Sequence, residues 1–312
     1  MQGNVEAKPL VATKISKGKR KQNNFLRLFK LLFQSKTGTV GFIIVLAVVL
    51  TAIFADVLMP HNPAENDLSN LLKPPVWVEG GSAEHILGTD NLGRDILSRV
   101  IVGSRVSLLV GIFSVVLAGI IGLIVGLLAG YYGGIIDNIL MRLVDSFLAI
   151  PSILFILVVL AVFKPSIMVL IIVIGFTNWI NYARIVRGEV LSVKEHDFVK
   201  ASQSIGTKNS KIIKTHILPN VISSFIVISA LSVATTIILE ASLSFLGLGI
   251  QPPDVSWGAM LTDGRDYLAT NWWIATFPGI AITITVLGII FLGDWLRDVL
   301  DPKAQASSKG GS

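Results

Sequence analysis

The 312-residue sequence contains no cysteine, which removes a disulfide framework, thiolate metal sites and thiolate catalysis together. Charge is scarce as well. Asp, Glu, Lys and Arg make up 15% of the residues, where a soluble domain carries roughly 25%. No G-x-x-x-x-G-K-[ST] run occurs, and the Gly18-Lys19 pair lacks the loop that cradles a phosphate. Any dependence on ATP therefore places hydrolysis on another chain. Repeats of 20–50 residues and an inverted two-half symmetry are also missing, which counts against the secondary-transporter folds built from inverted repeats.

What is present in excess is apolar. Hydrophobic residues reach 52% and mean hydropathy is +0.72. They fall in blocks near twenty residues long with short polar stretches between, the pattern of an all-α polytopic membrane protein. Six transmembrane helices are expected, at 38–59, 106–130, 140–163 with a kink at Pro151, 167–186, 221–246 and 272–296. The first reads as an uncleaved anchor, because its charged lead is long and no small-x-small site precedes Pro60.

Charge then sets the topology. With the N-terminus inside, all but six of the 26 Lys and Arg lie on cytoplasmic segments; the exceptions are Lys73, Arg94, Arg99, Arg105, Lys164 and Arg265. The positive-inside bias predicts both termini in the cytoplasm, and it explains the net charge of +6 without nucleic acid. The organisation follows. Residues 1–36 are a cytoplasmic basic tail, polar and disordered to about residue 22. They end in an interfacial helix on membrane lipid, with Phe25, Leu28, Phe29, Leu32 and Phe33 on one stripe. Residues 37–59 are the first span, 60–105 an external loop domain, 106–297 a five-helix domain with a loop at 188–220, and 298–312 a cytoplasmic tail ending in a linker-like run from 307.

Four features carry mechanism. Gly122, Gly126 and Gly130, extended by Ala118 and Gly134, form a small-xxx-small face for close helix packing. The loop 184–220 reads as helix–turn–helix: Asp197 caps a short helix, Gly206 stops it left-handed, a second helix runs from about Thr207 to His216, and Pro219 marks re-entry to the membrane. Such an elbow offers a grip to a partner. Glu240 is the one acid deep in a span; it either lines a translocation path or pairs across helices, with Thr235 and Thr236 one turn away on this face. Arg184 and Arg187 anchor the cytoplasmic interface or assist docking. In the external loop Asp90, Arg94 and Asp95 either contact a delivering protein or form a salt-bridged turn. His61, His85, His196 and His216 are scattered between opposite faces without metal-ligand spacing, so no metal site is expected.

Lys200-Ala201-Ser202, Gly206 and Leu218-Pro219 resemble the EAA loop of ABC-importer permeases, the element that docks on the ATPase subunit. The chain departs from that motif in having Lys200 where an acid is usual. Further stretches resemble the C-type permease subunits of dipeptide and oligopeptide importers: His85-Ile86-Leu87-Gly88-Thr89-Asp90, Leu92-Gly93-Arg94-Asp95, Leu239-Glu240-Ala241-Ser242-Leu243-Ser244-Phe245-Leu246-Gly247, Ser256-Trp257-Gly258, Phe277-Pro278-Gly279 and Leu292-Gly293-Asp294. The resemblance implies a type I ABC-importer (MetI-like) permease fold in a bacterial cytoplasmic membrane and a non-enzymatic transport role. It implies coupling through Asp197, Lys200, Ala201, Ser202, Gly206, Leu218 and Pro219. It also implies a second homologous permease, two ATPase subunits binding ATP and Mg, an extracytoplasmic substrate-binding protein and a peptide cargo, with nickel and glutathione importers similar. No cofactor is expected on this chain. The alternative reading is a proton-coupled secondary transporter using Glu240. An intramembrane peptidase would need a second catalytic residue at depth.

Overall fold

The computed structural model describes residues 24–300. The expectations for the tail before residue 24 and for the run from 307 lie outside the described residues. Within them the chain is helical, and its sole bridge pairs Thr89 with Asp95.

Helix α1 (Asn24–Gln34) occupies the stretch expected to lie at the interface, with Leu32 buried and Phe33 exposed. Ser35 separates it from α2 (Lys36–Ile53) by capping that helix, its Oγ accepting from Gly38 N at 3.1 Å. A short α3 (Ala55–Leu58) ends the first span. The next helix differs from expectation. α4 (Ile96–Tyr132) begins ten residues before 106, so the external loop is shorter than the 60–105 assigned to it. Asp95 caps α4 by accepting from Ser98 N at 2.8 Å. Arg99 and Arg105, whose charges hide the helix in hydropathy, are neutralised by Asp90 and Asp263 and by Asp56. At 37 residues α4 is about 55 Å long, well beyond a ~30 Å hydrocarbon core.

The third expected span, 140–163, is two helices. α5 (Gly134–Leu148) and α6 (Ser152–Val162) meet at a bend of 75°. Pro151 provides no N–H and drives Ile150 out of the helical region, so the chain breaks there where a mild kink was expected. α7 (Ile167–Lys194) then runs eight residues past Val186, and α8 (Asp197–Ser204) follows.

α9 (Asn209–Ile212) passes through a π-wound turn, Ile213–Ile217, directly into α10 (Leu218–Leu243), which itself ends in a π-turn, Ser244–Leu248. Pro219 is therefore no boundary; it sits in the first turn of α10, where the widened turn before it relieves the proline's clash with the preceding backbone. α11 (Trp257–Arg265) and α12 (Trp273–Leu300) complete the chain. Five helical segments are long and apolar enough to cross a membrane, and the broken α5–α6 pair makes a sixth span if it crosses as one.

Two glycine seams draw the spans together. Along α4, a Cβ on Gly122 would strike Tyr182 and the Trp179 carbonyl, one on Gly126 would lie 2.7 Å from Val186, and one on Gly130 2.8 Å from Val190, all on α7. Ala118 belongs to the same buried strip, but Gly134 does not: it lies past the helix end with nothing near it. The second seam went unread in the sequence. Gly38 and Gly41 of α2 rest on Trp295 and on the Leu292 backbone of α12, and the spacing Gly38-x-x-Gly41 was the available signal. A test of the first seam is Gly126→Ile, which should lower stability by about 1–3 kcal/mol or more in thermal unfolding of the detergent-solubilised chain. Gly188→Ala, on the open side of α7, should be neutral or stabilising by up to ~1 kcal/mol.

Candidate functional site

At the inner end expected from the charge bias, α8 is seated between the end of α7 and the segment that runs from α9 into α10. Val199 is the single buried residue of α8 and inserts into a cluster of Val186, Val190, Val193, Ile212, Ile217 and Val221. Polar contacts set the corner: Tyr131 donates through its hydroxyl to Asn209 Oδ1 at 3.0 Å, Lys194 Nζ donates to the Tyr131 carbonyl at 2.7 Å, and Ser202 Oγ lies 3.2 Å from His216 Nε2. Asp197 is the first residue of α8 and makes no side-chain cap; the capping position belongs to His196. Gly206 terminates α8 at φ +74°, a conformation costly for any side chain bearing a Cβ. Beside it Ile205 is 81% exposed, the most uncovered large apolar side chain on the elbow. Ala201 is exposed on the same surface and Leu218 half-buried behind it. The unusual Lys200 has a local partner: its Nζ lies 2.8 Å from Glu195 Oε2. Hydrogen bonding within this pair holds the Glu195 carboxyl below its usual range and raises the Lys200 ammonium.

Glu240 does not line a surface. It is fully buried inside the subunit, and its Oε1 accepts from Ser244 Oγ and Ser256 Oγ, each at 2.8 Å. Thr235 and Thr236 are not its partners; Thr235 instead donates to the Ser232 carbonyl. Ser256 is also the N-cap of α11, accepting from Ala259 N at 3.1 Å, so Glu240 secures the start of that helix. α11 is held further by Trp257 N on Ser107 Oγ (3.2 Å), Trp257 Nε1 on the Val100 carbonyl (2.9 Å) and Thr262 Oγ1 on the Ser244 carbonyl (2.7 Å). The face that α10 leaves uncovered carries Ile238, Ser242, Phe245 and Leu246, and with Gly279 and Thr283 of α12 it borders a cavity of about 510 Å³.

The other end is braced by charge. Asp90 is completely buried and accepts from Leu92 N at 2.8 Å, Arg94 N at 3.0 Å, Arg94 Nε at 2.7 Å and from Arg99. Asp263 of α11 accepts from Arg94 Nη2 at 3.0 Å and from Arg99 Nη2 at 2.9 Å. Trp273 Nε1 donates to the Thr89 carbonyl at 3.0 Å, fastening α12 to the same loop. Asp90, Arg94 and Asp95 thus form a structural turn with their charges directed inward. His61 and His85, 24 positions apart, are folded against Asp95 so that one ligand atom from each of the three lies within 4.8 Å of the others.

Two family descriptions match this chain. Residues 122–306 match the binding-protein-dependent transport system inner membrane component, and residues 25–75 match the N-terminal TM domain of oligopeptide transport permease C. The dipeptide transport system permease protein DppC of Escherichia coli (strain K12) is 46% identical over 270 residues, covering 86% of this chain and 90% of that protein. The oligopeptide transport system permease protein OppC of Bacillus subtilis (strain 168) is 42% identical over 269 residues, 86% of each. The chain belongs to the binding-protein-dependent transport permeases. Among solved structures, the methionine ABC transporter MetNI in an inward-facing conformation aligns with TM-score 0.55 at 19% identity, over 65% of this chain and 96% of that one, and so shares the fold.

A permease of this kind is a non-catalytic component of an ABC transporter, and the proton-coupled alternative built on Glu240 is overturned by the family and by the burial of that carboxylate. Two arginines of the permease are also reassigned. Arg187 clasps Asp137 through both guanidinium arms at 2.6 and 2.7 Å, and Arg184 reaches Asp145 at 2.7 Å, so both fasten α7 to α5. Removing one partner of a buried ion-pair network leaves the other charges uncompensated. Asp90→Ala should therefore destabilise the permease by about 3–5 kcal/mol, read as a lowered thermal midpoint in detergent. Asp263→Ala, whose carboxylate is one-third exposed, should cost clearly less.

Proposed function

We propose that this chain is one permease subunit of an ATP-binding-cassette importer of dipeptides or oligopeptides in a bacterial cytoplasmic membrane. It forms half of the translocation path with a second, homologous permease and couples to two ATPase subunits through the 197–216 elbow. The observation that carries the coupling role is the form of that elbow. α8 is fixed to the long helices by one buried residue, Val199, and turns outward the exposed Phe198, Ala201 and Ile205. An exposed apolar tip on a well-sealed base suits a socket on another protein. ATP and Mg belong to the ATPase subunits, since the sequence holds no phosphate-cradling loop. Peptide cargo rests on the names of the relatives, and delivery by an extracytoplasmic substrate-binding protein rests on the family's description. In this reading the uncovered face of Ile238 and Ser242 on α10, continued by Phe245 and Leu246 in the turn after it, meets the partner permease and the path, the role first considered for Glu240; its exposure and the cavity beside it support this.

Gly206→Val tests the coupling role. The variant forces a β-branched residue to φ +74°, deforming the stop of α8 without touching any span. Peptide uptake by cells or proteoliposomes containing the whole transporter should fall at least about tenfold, and the ATPase subunits should co-purify poorly while the permease still inserts. Unchanged uptake and unchanged co-purification would remove the elbow from the mechanism.

A further inference from the structure

The loop after the first span contains a cluster that peptide transport as proposed does not use. His61 follows the end of α3, His85 lies in the turn before Thr89, and Asp95 caps α4. His85 Nδ1 is 3.1 Å from Asp95 Oδ1, and His61 Nδ1 is 3.8 Å from Asp95 Oδ2. The imidazole rings face each other at a centroid separation of 4.8 Å. Their positions are fixed by the backbone as well. Ser98 Oγ donates to Asp95 Oδ2 at 2.7 Å and accepts from His61 N at 3.0 Å, so His61 and Asp95 share one anchor.

Two features point to an occupant. His61 Nδ1, the nitrogen 3.8 Å from Asp95 Oδ2, is buried with no hydrogen-bond partner, an arrangement that protein interiors avoid unless the atom has another role. The side chains of His85 and Asp95 are almost wholly enclosed, whereas that of His61 is 34% exposed and leaves a way in from solvent. Ligand atoms bound at about 2.0–2.1 Å to a tetrahedral ion stand about 3.4 Å apart, and the separations of 3.1 and 3.8 Å straddle that value. Two imidazoles and one carboxylate suit a borderline divalent ion of the Zn²⁺ class; Ca²⁺ and Mg²⁺ call for oxygen ligands that this cluster does not supply.

We propose that His61, His85 and Asp95 form a divalent transition-metal site, with one nitrogen from each histidine, one carboxylate oxygen and a water completing the shell. The positive-inside bias puts this loop on the outer side, where an ion reaches it without crossing the membrane. Filling it ties the exit of the first span to the start of α4, the two ends of the external loop.

The test uses the full-length chain in detergent, purified without a histidine tag. Titration with Co²⁺ should give the visible absorption bands of a tetrahedral ion, saturating at one equivalent, and Zn²⁺ should displace them. His61→Ala changes the most exposed ligand and should weaken Co²⁺ and Zn²⁺ binding at least about tenfold with the thermal midpoint of the metal-free chain unchanged. His85→Gln should do the same to binding. A His196→Ala/His216→Ala double variant, lacking the histidines of the opposite end, should bind as the parent does. Absence of saturable binding, or binding that survives His61→Ala and His85→Gln, overturns the site. So does binding lost in the His196/His216 variant.

Discussion

In hydrocarbon no hydrophobic force draws one helix to another, so α4 and α7 stay together by contact alone. That contact exists because Gly122, Gly126 and Gly130 bring the α4 backbone against Tyr182, Val186 and Val190. The rest of the subunit is arranged around this pair. α5 is fastened to α7 by Arg187–Asp137, and α10 lies across both, with Gly111 of α4 beneath Ile237 and Gly119 beneath Phe225. α2 reaches the bundle through its own glycine contacts with α12. Dispersion falls steeply with separation, which is why one added methyl at these points matters more than the loss of a surface charge.

The fold was legible where one residue type decides the outcome. Apolar blocks of spanning length marked the membrane helices, and Gly206 marked the end of α8 because a positive φ there has few other solutions. Boundaries failed where tertiary partners alter the meaning of a residue. Arg99 and Arg105 suggested a loop, yet carboxylates, more than forty positions away in two cases, neutralise them and let α4 begin at Ile96. Pro219 suggested a boundary, and a π-turn absorbed it. At the site, the glycines and the elbow could be read from local spacing. Glu240 could be recognised as important but not assigned, because its partner Ser256 stands sixteen residues on and beyond a π-turn. His61 and His85 were invisible as a pair for the same reason: only the loop fold brings them to Asp95.

The distribution of polar contacts divides the subunit into a stiff end and a yielding one. At the loop end, Asp90, Arg94, Arg99 and Asp263 join the external loop, α4 and α11, while Glu240 joins α10 to α11 and Trp273 joins α12 to the loop. Asp90, Arg94, Arg99 and Glu240 are buried, so displacing one of their partners leaves unpaired charge in a low dielectric. At the elbow, the base is a cluster of valines and isoleucines, with the Lys194 ammonium on the Tyr131 carbonyl and two neutral hydrogen bonds at its edge. Apolar packing is non-directional and permits small sliding, whereas arginines bridging two buried or half-buried carboxylates hold their partners in fixed directions.

A push applied at α8 therefore meets resistance of different kinds along the molecule. α8 connects to α7 directly and to α10 through the continuous segment from Asn209, about 60 Å of helix if it were straight. Displacement of a helix end is transmitted along its length because the backbone hydrogen bonds make it nearly rigid, and it is absorbed where the helix winding changes. The two π-turns, Ile213–Ile217 and Ser244–Leu248, bracket α10, one beside the elbow and one beside the braced loop end. Between them lies the uncovered face with Ile238 and Ser242. Under the proposed coupling, α10 tilts at these two turns and the uncovered face moves with it.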